Sequence, residues 1–191
     1  MDDIHKFRIF NRLKSVYRYA SVDDRHESTA EHSWSSLVLA DFFLNEMIVK
    51  KKMNIDRLKV YELLMYHDIV EIEAGDTTLH PDKESLKLSQ KEREKKAFDT
   101  LKEKFPKSIK EKIVLLVKEF TEQKTVESKF ARAIDMLDAE VHELDYKNDW
   151  KGWTKEFLIE KKMKYFLEFP EMKKVFEDMI EYEEKNGFFE E

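Results

Sequence analysis

A short stretch, YELLMYHDIVEIEAGD at residues 61–76, concentrates most of the groups in this chain that could do chemistry. An apolar run delivers His67 and Asp68, and Glu71, Glu73 and Asp76 follow within eight residues. That density of acids behind a packed segment is poor core material and good material for the wall of a metal-centred pocket. Two more residues have a comparable setting. His32 falls in the first turn expected of a helix, where the positive helix end favours a neutral imidazole with a nitrogen available to a metal. Taken alone, His32 reads first as a core or surface histidine. Asp135 sits beside the apolar stripe Phe130, Ile134, Leu137, Val141 and Leu144, and an acid there costs free energy unless paired, hydrogen-bonded or bound to metal.

These groups need elements to carry them. Ile4, Phe7, Phe10, Leu13 and Tyr17 recur at helical spacing, which predicts a helix over residues 3–19 with Arg18 near its C-terminal end, followed by a loop through ASVDDRHEST. Taken alone, Arg18 reads as readily as a surface residue favoured by that helix end. Ser28 and Glu31 form a capping-box pattern that opens a helix bearing Trp34, Leu37, Val38, Phe42 and Leu44. Asp56 caps a predicted helix over 57–71 that brings Val60, Leu63, Leu64 and Ile69 inward and His67 and Glu71 to one side. Gly75 ends it, and Asp76-Thr77-Thr78 begins a polar loop running to His80-Pro81. Asp76-Thr77 also fits a simple turn or cap.

Further helices are expected over 84–105, with Leu86 and Leu88 among sparse apolar anchors. Others are expected from a Ser108/Glu111 cap, over 128–147, after Thr154, and from Pro170. Tyr165, Phe166, Phe169 and Phe176 are expected to pack in the core.

With 3 Gly and 3 Pro in 191 residues, turns are few and elements long, and strand alternation is nearly absent, which predicts an all-α fold in one compact domain over residues 1–191. Lys+Arg 35 against Asp+Glu 41 gives a formal charge of -6, which argues against a nucleic-acid polymer as partner. A small phosphorylated substrate remains compatible with that charge, because a metal and one arginine can reverse the local field. No cysteine is present, which excludes disulfide and thiol chemistry. Without a signal-like segment or an apolar run of spanning length, the expectation is a cytoplasmic protein with no membrane partner.

The ordered set of His32 in AEHSW, His67-Asp68 in MYHDIVEIEAGD and Asp135 in RAIDMLDAE resembles the HD-domain metal-dependent phosphohydrolases. Within them it is similar to the small bacterial 5'-deoxynucleotidases and their HD-domain relatives, most clearly over residues 7–149. The resemblance implies an HD-domain helical fold. It also implies His32, His67, Asp68 and Asp135 as ligands of one divalent ion, with Co, Mn, Mg, Zn, Fe and Ni all admissible, and Glu71 and Asp76 as functional acids. An arginine late in the first segment of that branch matches Arg18, which the resemblance makes a substrate-binding residue. Tyr19 stands where the bacterial enzymes carry a tryptophan associated with choosing the deoxy sugar, so deoxy or ribo preference stays open. Thr77 is a further candidate for a substrate hydrogen bond. The family also implies a homodimer.

The expected reaction is hydrolysis of a (deoxy)ribonucleoside 5'-monophosphate to nucleoside and phosphate. Glu71 and Asp76 share the proton transfers in an order that sequence leaves open. One alternative is a phosphodiesterase or alarmone hydrolase on the same scaffold, although HDIVEI lacks the terminal acid of the HDxxED run seen in alarmone hydrolases. The other is a catalytically silent nucleotide-binding or interaction protein.

Overall fold

The computed structural model describes residues 1–50, 52–81 and 90–190. Leu86 and Leu88, expected as anchors, lie outside the described residues, as does Lys51. The described chain is helical apart from one hairpin. The helices are α1 (Asp2–Phe7), α2 (Thr29–Leu44), α3 (Arg57–Tyr66), α4 (Glu71–Ala74), α5 (Gln90–Leu101), α6 (Lys107–Glu122), α7 (Val126–Glu143), α8 (Lys155–Lys162) and α9 (Pro170–Lys185). The all-α expectation holds.

Helices α2, α3 and α7 pack against one another around the larger core, which is built from Phe43, Leu44, Leu63, Leu64, Phe130, Ile134 and Leu137 and continues to Phe166, Phe169 and Phe176. The three phenylalanines on the C-terminal side are buried, as expected. A smaller core of Leu13, Ile69, Ile72, Leu101, Phe105 and Ile113 joins the N-terminal segment to α4, α5 and α6. The site described below lies where α2, the end of α3 and α7 meet.

The N-terminal expectation needs correction. The helix over 3–19 stops at Phe7, a 3-10 segment runs Arg8–Ser15, and Tyr17–Val22 (β1) pairs antiparallel with Arg25–Ser28 (β2). Only Leu13 of the proposed apolar face is buried, while Ile4, Phe7 and Tyr17 are exposed. The segment VYRYASV is rich in β-branched and aromatic residues, and Asp23 takes a positive φ of 52° at the hairpin tip, a conformation aspartate tolerates. Arg18 therefore sits on a strand, not at a helix end. Tyr17 pairs with Ser28 and Ser21 with His26, so residues 18–20 lie opposite Glu27 alone in a bulge.

Helix α2 starts as expected. Ser28 accepts from the Glu31 N–H, and Glu31 returns a bond to the Ser28 N–H. Of its residues, Thr29, His32, Ser36, Ala40, Phe43 and Leu44 are buried, whereas Trp34, Val38 and Phe42 are exposed. A helix that must present polar groups to a buried site loses a clean apolar stripe.

The helix over 57–71 is two pieces. Asp56 caps α3 through the Lys59 N–H at 3.1 Å, and α3 ends at Tyr66. Residues 67–70 tighten into i→i+3 bonds, Ile69 N to Tyr66 O at 3.2 Å and Glu71 N to Asp68 O at 2.9 Å, before α4 begins. The break has a visible cause: His67 Nδ1 is 2.7 Å from the Leu64 carbonyl, within the last turn of α3. Gly75 ends α4 at φ 72°, as expected. Elsewhere, α6 starts after Pro106 without a Ser108 cap, and α7, capped by Thr125, begins at Val126, two residues before the expected 128.

Candidate metal centre

The tight turn after α3 brings His67 and Asp68 to one point, α2 brings His32 from its first turn, and α7 brings Asp135 from its buried stripe. One donor atom from each lies within 4.8 Å of all the others. His32, His67 and Asp135 are buried, and Asp68 is nearly so. These are the four residues the sequence singled out.

The tautomers follow from the partners of the outer nitrogens. A carbonyl oxygen only accepts, so His67 Nδ1 carries the hydrogen and donates to Leu64 O. His32 Nδ1 lies 2.8 Å from Asp138 Oδ2, so it too carries the hydrogen, and Ser35 donates to the same oxygen at 2.7 Å. Both rings thus turn Nε2 inward, 3.4 Å apart. His32 Nε2 is 3.1 Å from Asp135 Oδ1, and His67 Nε2 is 3.0 Å from Asp68 Oδ2.

This crowd of lone pairs is what a cation fits. Asp68 Oδ2 is buried and makes no hydrogen bond to any described protein group despite its short approach to His67. Two neutral imidazoles and two carboxylates with nothing positive between them would repel. The same pressure shows in the ionisation of the groups. Burial works against charge on both imidazoles, but Asp68 and Asp135 overcome it at His67 and hold its pKa well above the ordinary value. At His32 burial and Arg18 oppose the proton, while Asp135 and Asp138 raise the pKa. Asp135, although buried, is held well below the usual carboxylate range by His32, His67 and Arg132. A divalent ion can take the place of those protons, and nitrogen and oxygen donors together suit a first-row transition metal or zinc.

Three further charged groups extend the site. Arg18 reaches from the β1 bulge, its Nε 3.2 Å from Glu27 Oε2 and its Nη1 3.6 Å from Asp68 Oδ2. Burial opposes its charge, yet Asp76, Asp68, Glu71 and Glu27 together raise its pKa. Glu71, at the start of α4, accepts from Thr29 Oγ1 at 2.8 Å. Its pKa is pushed well up, by burial first and then by Asp68 and Asp76. Asp76, just past Gly75, is raised by burial and by Asp68, with Arg18 pulling the other way. Thr77 lies beyond it and accepts from Arg93 Nη2 at 3.0 Å. The Tyr19 ring lies against that of His80, with centroids 4.6 Å apart and a tilt of 39°.

Glu73 is not part of this set. It turns outward to Arg12 and Lys104, each 2.8 Å away. Sequence reasoning assigned no role to Glu27, Asp138, Ser35 or Arg132. Arg132 donates to Asp135 Oδ2 at 2.8 Å and stacks over Phe120, leaving Oδ1 for the centre. Asp138 carried a signal, three residues after Asp135 on the same helix side. Glu27 carried none, because its burial depends on the unforeseen hairpin.

The HD domain family profile matches residues 10–174. The 5'-deoxynucleotidase HDDC2 of Xenopus laevis is 29% identical over 143 residues, covering 73% of this chain. The matched region spans 66% of that relative, just under two thirds of its length. A predicted metal-dependent phosphohydrolase from Magnetospirillum magnetotacticum MS-1 superposes with a TM-score of 0.85 at 25% identity, over 100% of this chain and 95% of that one. An HD-domain phosphohydrolase from Listeria innocua superposes with a TM-score of 0.66 over 95% of this chain and 86% of that one, and at 22% identity it speaks to fold alone.

Proposed function

This chain belongs to the HD-domain family of metal-dependent phosphohydrolases, and on that premise we propose that it hydrolyses (deoxy)ribonucleoside 5'-monophosphates to nucleoside and phosphate. In this reading residues 1–191 act as one domain, in the cytoplasm and as a homodimer. The observation that carries the reading is the convergence of His32, His67, Asp68 and Asp135 on one point, with Asp68 Oδ2 buried there and without a hydrogen bond to any described residue. The substrate class is supported by the amphibian 5'-deoxynucleotidase relative and by an arginine and two acids beside that point.

A divalent ion held by those four residues would supply positive charge facing the phosphoryl oxygens and would acidify a water molecule. The remaining work falls to the chain. Arg18 keeps its charge under burial because acids surround it, and its guanidinium binds phosphoryl oxygens and offsets charge that builds as the P–O bond breaks. Glu27 braces that guanidinium from behind. Glu71 and Asp76 divide the proton transfers: one takes the proton of the attacking water, and the other gives a proton to the leaving sugar oxygen. Thr29 orients Glu71 by its hydrogen bond. Thr77 hydrogen-bonds the substrate, and Tyr19 borders its sugar.

The test is phosphate release by purified protein, stripped of metal and resupplied with cobalt, manganese, nickel, iron, zinc or magnesium. Substrates would be dAMP, dGMP, dTMP, AMP and a phosphodiester. Turnover of monophosphates, lost in Asp135→Ala together with bound metal, is expected. Diester cleavage without monoester cleavage would replace this reading with a phosphodiesterase, and binding without any turnover would replace it with a silent nucleotide binder.

A further inference from the structure

We propose that His80 is a positioning residue that sets the sugar-and-base end of the pocket by holding Tyr19. The inference rests on the nucleotide-hydrolase reading above. His80 is 2% exposed, unusual for a histidine in a polar loop. Its burial is built from three sides. Its ring lies 4.6 Å from that of Tyr19 at an interplanar angle of 39°. Trp153 meets it edge-on, 6.0 Å away at 89°. Its Nε2 lies 2.8 Å from the carbonyl of Lys151, which can only accept, so the tautomer is set with the hydrogen on Nε2.

One imidazole therefore ties together three pieces of chain: the strand that carries Arg18, the tryptophan-anchored turn after α7, and the loop that carries Asp76 and Thr77. The loop side is fastened by the His80 N–H, which donates to Thr78 Oγ1 at 3.1 Å, and by Leu79, which packs on the larger core. Strict strand alternation would send Arg18 and Tyr19 to opposite faces. The bulge opposite Glu27 relaxes that alternation. The Tyr19 ring then lies between two imidazoles, 6.4 Å from His26 across the hairpin and 4.6 Å from His80, and the closer contact ties its direction to the loop. Tyr19 remains 38% exposed, so its ring is backed by His80 and still open to a ligand. It stands one residue, about 3.3 Å of strand, from Arg18, the scale of the step from a 5'-phosphate to its sugar. A ring held there by the tilted contact at its back acts on KM and on the choice between deoxy and ribo sugars, with no effect on the metal centre.

The experiment compares the metal-loaded wild type with His80→Ala, His80→Phe, Tyr19→Ala and the double variant Tyr19→Ala/His80→Ala. Measurements are bound metal, KM and kcat for dAMP and AMP, and hydrogen–deuterium exchange over residues 17–22 and 75–81. His80→Ala should keep its metal, raise KM about tenfold with a smaller change in kcat, alter the dAMP-to-AMP ratio, and speed exchange over 17–22. His80→Phe, which keeps a ring against Tyr19 and loses the Lys151 bond, should recover most of the KM. In the Tyr19→Ala background His80→Ala should add little, because its effect passes through that ring. Three results would overturn the inference: unchanged KM, ratio and exchange in His80→Ala; additive losses in the double variant; or metal lost in step with KM. If the wild type turns over no nucleotide, the hydrolase reading falls, while the exchange comparison still decides whether His80 orders the Tyr19 strand.

Discussion

The two inward nitrogens owe their direction to groups that touch no ion. Leu64 O holds the far side of His67, and Asp138, itself held by Ser35, holds the far side of His32. Partners of this kind orient a ligand imidazole and raise its basicity. Asp138→Ala should therefore fold, since it leaves both cores intact, and bind metal roughly 10–100-fold more weakly. Asp138→Asn, which keeps an acceptor for Nδ1–H, should lose less. Competition titration with a chelating dye measures both, and equal affinity in all three proteins would refute the role. At this scale the sequence was legible where residue type is itself scarce: a histidine next to an aspartate, or an acid on an apolar stripe. Asp138 and Glu73 show the limit. Both are acids near a candidate ligand, yet one faces His32 and the other faces Arg12 and Lys104, and only the packing of distant segments decides which.

Among the elements, the β1–β2 hairpin has the most consequence for the site, because it carries Arg18, Tyr19 and Glu27. Its tip is latched to the end of α7 and the turn that follows. Asp149 accepts from Ser21 N at 2.7 Å and Ser21 Oγ at 2.8 Å, and His142 Nε2 donates to Ser21 O at 2.7 Å. Asp149 is not one of the four clustered donors. Asp149→Ala should loosen the hairpin, raising KM for a nucleotide by several-fold with bound metal unchanged. Steady-state kinetics beside metal analysis checks this, and a parallel loss of metal would show that the latch supports the whole centre. The start of α2 gives a second expectation. Ser28→Ala removes one half of the capping box and should lower stability by about 1 kcal/mol in a denaturant titration. Caps and stops were legible, because Ser28, Asp56, Thr154, Pro170 and Gly75 act within a turn of chain. The hairpin was not, because its apolar residues also fit a helical period and its strands gain stability only from pairing with each other.

For the whole molecule, α9 closes onto α7 and α8 over a buried charge cluster remote from the site. Lys162 donates to Glu140 and to Met136 O, while Glu140 Oε2 and both oxygens of Glu183 have no hydrogen-bond partner among the described residues. Burial, with Glu140 and Glu143 nearby and Lys162 only partly compensating, pushes the Glu183 carboxyl up to about 9. Its ordinary value is 4.5, so between these two pH values the folded protein holds a proton that the unfolded chain has released. Stability from this group is then lost as pH rises through that window. Glu183→Gln mimics the protonated acid. It should raise Tm relative to wild type at pH 8, by about 2–4 °C for each kcal/mol relieved, with the gain shrinking toward pH 5. Calorimetry at several pH values measures it, and a gain independent of pH would assign the effect to packing instead. A divalent ion at 100 times its dissociation constant should likewise add about 2.7 kcal/mol to the folded state, and His67→Ala should abolish that gain. Sedimentation tests the proposed homodimer, where a single monomeric species at all concentrations would reject it.

The sequence by itself determined the helical class and several helix starts, and it singled out His32, His67, Asp68 and Asp135, whose donor atoms converge. Each of these depends on residue type or on spacing within a few turns of chain. Tertiary structure alone decided that Arg18 approaches from a strand, that α2 turns Trp34, Val38 and Phe42 to solvent, and that Asp138, Glu27 and His80 stand behind the residues they hold. Those outcomes depend on contacts between segments separated by tens of residues, where burial and direction are settled only once the helices have packed.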